Sequence, residues 1–314
     1  MSRGMRWTAD DVPDLSGKTV VVTGANGGLG YETVLQLAPK GAHVVLACRD
    51  LAKARAAMET IAQARPGASL EVMELDLASL ASVRTFAQSF LAKHGELHVL
   101  CNNAGVMAIP YRRTVDGFEM HFGTNHLGHF ALTGLLIERL LGTSGARVVN
   151  VSSTMHRTGR IRFEDLQWER GYCRWAAYGQ SKLANLLFTY ELQRKLEATG
   201  ANVISVACHP GWAATNLQLE GARMEGSLLM EFGARVANFF LAQSAAMGAL
   251  PILYAATSPD VRGGDYIGPD GLAEAWGHPK KVQSSRRSHD RQAAAKLWEV
   301  SVLLTGVRSE ALAQ

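Results

Sequence analysis

The sequence predicts an α/β fold: a doubly wound parallel sheet of about seven strands with helices on both faces. Two observations predict it. Short β-branched runs alternate with helix-length segments along most of the chain, and such alternation builds a sheet through right-handed crossovers. Most of the short runs are apolar throughout rather than at every second residue, which marks strands buried on both faces.

In chain order, strands are expected at Thr19–Thr23, His43–Ala47, Leu70–Leu75, His98–Asn102, Arg147–Val151 and Asn202–Ala207, with a seventh near Asp265–Gly268. Helices are expected at Leu51–Ala64, Leu80–Lys93, Asn125–Leu141 and Ala177–Glu197. Residues 212–250 hold no strand candidate but carry Trp212, Leu217, Leu228, Leu229, Met230, Phe232, Phe239 and Phe240. This spacing fits a helical cap, packed or lying over a site as a lid. Pro269-Asp270-Gly271 marks a turn, and a last helix is expected over Arg291–Leu304. Residues 1–314 read as one domain, with the lid at about 212–250 and a C-terminal extension from about 269.

The net charge of +4 is small and its basic residues are scattered, which argues against a nucleic-acid partner. The densest basic run, Lys280, Lys281, Arg286 and Arg287, reads as a solvated surface segment. Cys48, Cys101, Cys173 and Cys208 form no CxxC pair, so reduced thiols and a cytoplasmic location are expected. The N-terminus is too polar for a signal peptide. Without a stretch of about 18 apolar residues, no membrane span is expected.

The run Thr23-Gly24-Ala25-Asn26-Gly27-Gly28-Leu29-Gly30 follows the first strand and opens a helix. Gly24 permits a tight turn, while Gly28 and Gly30 remove side chains where backbone meets a pyrophosphate and where the helix meets the sheet. The helix N-terminus offers free N–H groups to the phosphates. This is the dinucleotide site of a Rossmann-type domain. The second strand ends Ala47-Cys48-Arg49-Asp50. A carboxylate there would accept from the ribose of NAD, and a cation would meet the 2′-phosphate of NADP. Arg49 offers the cation, with Lys53 one turn on, so NADP(H) is expected ahead of NAD(H). Asp50 reads as the cap of the next helix, and otherwise as a ribose acceptor. Asp76 and Leu77 follow the third strand, and Asn102-Asn103-Ala104-Gly105 the fourth. All lie at carboxyl ends of strands, where such sheets bind ligands.

Tyr178 and Lys182 are four residues apart and share one helix face. Ser153 sits just past the fifth strand. Hydride transfer to a carbonyl leaves an oxygen that must take a proton. A tyrosine near its reference pKa of about 10 does this poorly, and a nearby ammonium is expected to lower that value. A serine hydroxyl can hold the substrate oxygen. His121, His126 and His129 share one segment but lack the supporting partners of a metal site. Hydrogen-bonding roles and no metal are expected.

The TGxxxGxG loop, the NNAG run, Asn150-Val151-Ser152-Ser153, Tyr178-Gly179-Gln180-Ser181-Lys182 and His209-Pro210-Gly211 occur in that order across most of residues 17–216. Together they resemble the short-chain dehydrogenase/reductase family. Ala47-Cys48-Arg49-Asp50, Asn125-His126-Leu127-Gly128-His129-Phe130 and Ser181-Lys182-Leu183-Ala184-Asn185 are similar to its retinol dehydrogenase, WW-domain oxidoreductase and protochlorophyllide reductase branch. The resemblance implies a catalytic tetrad of Asn125, Ser153, Tyr178 and Lys182. In it Tyr178 is the acid–base, Ser153 the carbonyl clamp with Ser152 as its rival, and Asn125 the holder of a relay water. Lys182 holds the nicotinamide ribose. It further implies that Asn103 meets the adenosine ribose, and that Pro210, Gly211 and Thr215 meet the nicotinamide half. Gly27 stands where many NADP-using relatives carry a basic or hydroxyl residue, leaving Arg49 as the chief phosphate ligand. A counterpart of the retinol enzymes' membrane anchor is not expected, which argues against a retinoid substrate.

The sequence thus reads as a carbonyl reductase or alcohol dehydrogenase using NADP(H) on a small-molecule, apolar carbonyl or alcohol substrate. The alternative is a dinucleotide-binding sensor or scaffold without turnover. A light-dependent tetrapyrrole reductase is a third reading, on branch similarity. The oligomeric state is left open, a homo-oligomer included.

Overall fold

The computed structural model describes residues 6–212 and 243–312. Eight strands form one sheet: β1 (Thr19–Thr23), β2 (His43–Cys48), β3 (Ser69–Glu74), β4 (Val99–Asn102), β5 (Ala146–Val151), β6 (Val203–Cys208), β7 (Tyr266–Pro269) and β8 (Pro279–Lys281). Their spatial order is β3-β2-β1-β4-β5-β6-β7-β8. The first seven run parallel, and β8 returns antiparallel along β7. The order reverses between β1 and β4, which opens a crevice beyond the carboxyl ends of the strands.

The described helices are α1 (Gly28–Leu37), α2 (Leu51–Ala64), α3 (Leu80–Lys93), α4 (Gly128–Leu141), α5 (Arg174–Thr199), α6 (Ala245–Thr257) and α7 (Arg291–Thr305). Successive strand residues point to opposite faces. Val20, Val22, Val44 and Leu46 pack with Val34 and Leu37 of α1 and with Leu250 and Leu253 of α6. Val21, Val45, Leu100 and Val148 pack with Phe86 and Phe90 of α3, Leu132 and Leu136 of α4 and Phe188 of α5. This two-sided burial is why the strands read as continuous apolar runs. α7 lies along α5, with Ala294 and Leu297 against Leu183 and Leu187.

Local chemistry sets the helix starts. Asp50 caps α2 by accepting from Lys53 N at 3.0 Å, Ser79 caps α3 from Ser82 N at 3.3 Å, and Asp290 caps α7 from Ala293 N at 3.0 Å. α1 instead starts after Gly27, with no side-chain cap. Its first N–H groups are therefore left for another acceptor.

Two details add to the expectations. The sheet has an eighth strand, and it falls on the basic run: Lys280 and Lys281 belong to β8, and Lys281 Nζ pairs with Asp265 at 2.8 Å. The helix expected to start at Asn125 begins as a π turn, Phe122–Leu127, that runs into α4. Most of the expected lid and Thr215 lie outside the described residues. Among the described residues, no helix is long and apolar enough to cross a membrane.

Candidate active site

The glycine-rich loop is shaped by close approach. Gly24 has φ +68°, and a methyl group there would lie 2.9 Å from Ala104 Cβ. A methyl group at Gly30 would fall 2.4 Å from Gly24 O and 2.7 Å from Asn103 Nδ2. Gly28 has φ +53°, while Gly27 faces open space. Asn26 and Leu29 complete the loop, both half-buried. The Cys48 thiol lies beneath it and accepts from the Ala25 and Asn26 amides; burial nevertheless pushes that thiol up to about 11. Arg49 is exposed next to it, and among the described residues it forms no ion pair. Asp50 is the α2 cap, and its carboxylate holds Lys53 Nζ at 3.3 Å.

The turn after β4 is tied to β1. Thr23 Oγ1 accepts from the amides of Asn103 and Ala104, each at 2.9 Å, and Asn103 Nδ2 donates to Thr23 O at 2.8 Å. The Asn103 side chain thus clasps two strand ends. Asp76 Oδ1 accepts from Ala78 N at 2.9 Å, and Leu77 is buried beside Gly128. A methyl group at Gly105 would lie 2.9 Å from Asn125 Oδ1 and 3.7 Å from Lys182 Nζ, so this glycine keeps the crevice floor open between the two.

Asn125 lies in the π turn, a distortion frequent at functional sites. Its Oδ1 accepts from Val106 N at 2.8 Å; its Nδ2 donates to Val106 O and to Ser181 Oγ, both at 2.9 Å. The amide thus joins the loop after β4 to α5. Its carbonyl oxygen accepts from His129 Nδ1 at 3.0 Å, and His129 Nε2 pairs with Thr23 Oγ1 at 2.9 Å. Burial pushes the His129 imidazole down to about 4, so a neutral ring links the π turn to the glycine-rich loop.

α5 presents Tyr178 and Lys182 to the crevice, each 4% exposed. Burial pushes the Tyr178 hydroxyl up to about 12, and the neighbouring Ser153 hydroxyl works against that rise. Lys182 Nζ donates to Val151 O at 3.0 Å and lies 5.7 Å from the Tyr178 ring centre. Burial pushes this ammonium down to about 8. The lysine is expected to lower the tyrosine pKa, but in this geometry burial outweighs that effect and shifts both groups toward their neutral forms, leaving Lys182 still charged at neutral pH. The two serines also separate. Ser152 is buried and donates to Lys182 O at 2.9 Å, whereas Ser153 is the one that meets Tyr178.

On the far strand ends, His209 is buried and pairs with Glu274 at 3.0 Å, and Gly211 N donates to His209 Nδ1 at 3.3 Å. Gly211 has φ +65° and sits against Ala275 O. Trp212 N donates to Ala275 O at 2.8 Å, Gln243 N to Trp212 O at 2.8 Å, and Gln243 Nε2 to Pro210 O at 2.7 Å.

The three histidines do not converge: His121 pairs with Glu119 at 2.7 Å, His126 with Ser301 at 2.9 Å, and His129 with Thr23. Sequence reasoning missed Glu119 and Tyr172. Glu119 is fully buried and accepts from His121 N and Phe122 N at 3.0 and 2.8 Å. Tyr172 OH donates to Ile109 O at 2.8 Å, and the His121 ring stands edge-on to Tyr178 at 6.0 Å. A charged residue two positions before a histidine in an apolar segment was the available signal.

Comparison with known proteins agrees with this fold. The family described as short chain dehydrogenase matches residues 18–225. Retinol dehydrogenase 12 of Mus musculus is 44% identical over 298 residues, covering 94% of this chain and 89% of that protein. A crystal structure of an uncharacterized protein from Mycobacterium paratuberculosis superposes with a TM-score of 0.80 at 43% identity, over 97% of this chain and 99% of that one. Two short-chain dehydrogenases share the fold at lower identity. That of Shigella flexneri 2a, complexed with NADP, is 22% identical with a TM-score of 0.60, over 80% and 95% of the two chains. That of Burkholderia phymatum, in complex with NAD, is 23% identical with a TM-score of 0.61, over 77% and 86%. The chain belongs to the short-chain dehydrogenase family, in the branch that holds the retinol dehydrogenases.

Proposed function

We propose that the chain is an NADP(H)-dependent oxidoreductase that interconverts a carbonyl and an alcohol on an apolar substrate. The observation that carries this reading is the approach of Ser153, just past β5, to the Tyr178 hydroxyl of α5, beside Lys182, whose Nζ reaches Val151 O of the same strand. The cradle suits a dinucleotide: α1 begins without a side-chain cap, Gly27 leaves space, and Gly28 takes a left-handed conformation. Gly24, Asn26, Gly28, Leu29 and Gly30 would hold the pyrophosphate. Asp76, Leu77, Asn103, Ala104 and Gly105 would flank the adenosine half, and Pro210, Gly211 and Thr215 the nicotinamide half. Arg49 would meet a 2′-phosphate.

A bound nicotinamide supplies the hydride for reduction and accepts it in oxidation. In the reductive direction Ser153 holds the substrate oxygen and Tyr178 gives it the hydroxyl proton, so C=O becomes CH–OH. With its hydroxyl pushed up to about 12 by burial, Tyr178 is protonated at neutral pH but a weaker acid than a free tyrosine, so donation would rest on its position and on the Lys182 cation beside it. Lys182, beneath Gly105, offers a cation to the nicotinamide ribose. Asn125 positions the loop and α5.

The apolar substrate is read from the composition of residues 212–250 and the preference of apolar pockets for apolar ligands. NADPH consumption against a panel of aldehydes, ketones and quinones tests the proposal. Turnover is expected, favouring long apolar carbonyls. Cofactor binding with no turnover on any member would favour the sensor reading, and equal efficiency on short hydrophilic aldehydes would remove the apolar preference.

A further inference from the structure

β3 is a free edge of the sheet, and β2 lies beside it. His43 opens β2, and Glu71 is on β3, paired with Val45; by the two-residue period, His43 and Glu71 face the same side. His94 caps the C-terminus of α3, which packs on that side. These three side chains converge at the opposite end of the strands from the candidate active site. His94 Nε2 lies 3.0 Å and His43 Nε2 3.7 Å from the same oxygen, Glu71 Oε2. The three potential ligand atoms all fall within 4.8 Å of one another.

From this geometry we propose that His43, Glu71 and His94 bind a zinc ion that clamps the sheet edge to α3. A tetrahedral zinc with bonds of about 2.0–2.2 Å holds its ligand atoms roughly 3.3 Å apart, and the two contacts to Glu71 bracket that separation. The second shell is already in place. His43 Nδ1 is hydrogen-bonded to Ser69 Oγ at 2.8 Å, which turns Nε2 toward the cluster, and that Nε2 is buried without a hydrogen-bond partner. An outer partner of this kind fixes the ring of a metal-ligating histidine. The side chains are 31%, 21% and 13% exposed for His43, Glu71 and His94, so the rim is open to a water as fourth ligand. Imidazole and carboxylate donors suit zinc. The neighbour that opposes a cation is Lys93, whose Nζ holds the other carboxylate oxygen at 2.8 Å. The site lies away from the chemistry, so its effect is on stability.

The test uses the full chain stripped with a chelator, carrying Cys173→Ser because Cys173 is the exposed thiol among the four cysteines. Zinc is titrated by calorimetry, with thermal unfolding in parallel. The expected result is one zinc per chain and a higher unfolding temperature. His43→Ala and His94→Ala should each weaken binding by about tenfold or more, the scale seen for disturbed metal shells. Lys93→Met should bind zinc more tightly, because it removes the competing ammonium. If a histidine variant fails to fold, cobalt substitution of the parent decides: nitrogen and oxygen ligands give visible bands without a thiolate charge-transfer band. Zinc affinity unchanged in folded histidine variants, weaker binding in Lys93→Met, a thiolate band, or no binding at millimolar zinc would each overturn the site.

Discussion

Lys182 and Asn185, neighbours on one face of α5, both donate to the carbonyl oxygen of Val151, at 3.0 and 3.1 Å. That acceptor therefore keeps a partner if the lysine is removed. The Lys182 ammonium is pushed from 10.5 down to about 8 by burial, so between those values the unfolded chain holds the proton more firmly than the folded one. Stability then rises with pH across that window, and the full cost of the buried charge is present below it. The cost is on the order of 3 kcal/mol. Lys182→Met should accordingly raise the urea midpoint at pH 7, with the gain shrinking as pH climbs from about 8 toward 10.5, while reduction is lost. A lower midpoint at pH 7 would show that the lysine stabilises the fold.

Tyr178→Phe keeps the ring and its edge-on neighbour His121 but removes the proton donor. Turnover should fall by about 100-fold or more, the usual worth of a positioned acid–base group, with NADPH binding retained. Single-turnover hydride transfer followed at the nicotinamide absorbance measures it, and near-normal rates would sink the mechanism.

The two neighbouring serines should separate by phenotype. Ser153→Ala removes the partner of Tyr178 and should lower kcat with little change in stability. Ser152→Ala takes away the hydrogen bond to Lys182 O and should cost about 1 kcal/mol or more of folding stability. Paired kinetic and urea-unfolding measurements distinguish the roles, and the reverse pattern would exchange them.

Cofactor choice should rest on Arg49. A charge-assisted hydrogen bond is worth about 1.5–3 kcal/mol, so NADPH should bind roughly 10- to 100-fold more tightly than NADH. Arg49→Ala should erase most of that preference and leave NADH affinity nearly intact. Lys53 is a weaker second cation because Asp50 already holds it. Fluorescence titration of both cofactors at one salt concentration settles the matter; equal affinities in the parent chain would contradict the role of Arg49.

Gly30→Ala should be poorly tolerated. Its methyl group would overlap Gly24 O, a backbone atom that cannot step aside without moving the loop. Overpacking of this kind costs about 1–3 kcal/mol, and dinucleotide affinity should fall with it. Wild-type stability and binding in this variant would mean that the loop relaxes freely.

Much of this was legible in sequence because the chemistry sits at strand ends in short runs: the loop after β1, the turn after β4, Ser153 after β5 and the Tyr178 and Lys182 pair on α5. Periodicity and turn residues place such runs directly. β8 was not legible, since Pro279-Lys280-Lys281 pairs along only one edge and has no apolar pattern. The π turn at Asn125 depends on a tertiary contact with Val106, which local propensity does not encode. The tyrosine and lysine pKa values escaped for a related reason. Spacing shows that two groups are near each other, but not how completely α5 buries them. Tyr172, like His43, Glu71 and His94, meets its partners only through the fold, so its sequence separations carry no signal, whereas Glu119 stands two positions before its partner His121.

Trp212 and Gln243 are joined by a backbone hydrogen bond, and Gln243 is fastened further to Pro210 and to Gly277. Trp212 and Gln243, thirty-one positions apart in sequence, are therefore held together on the described scaffold. Loss of the Gln243 side chain would accordingly loosen Pro210 and Gly277 together, although neither is its neighbour in sequence.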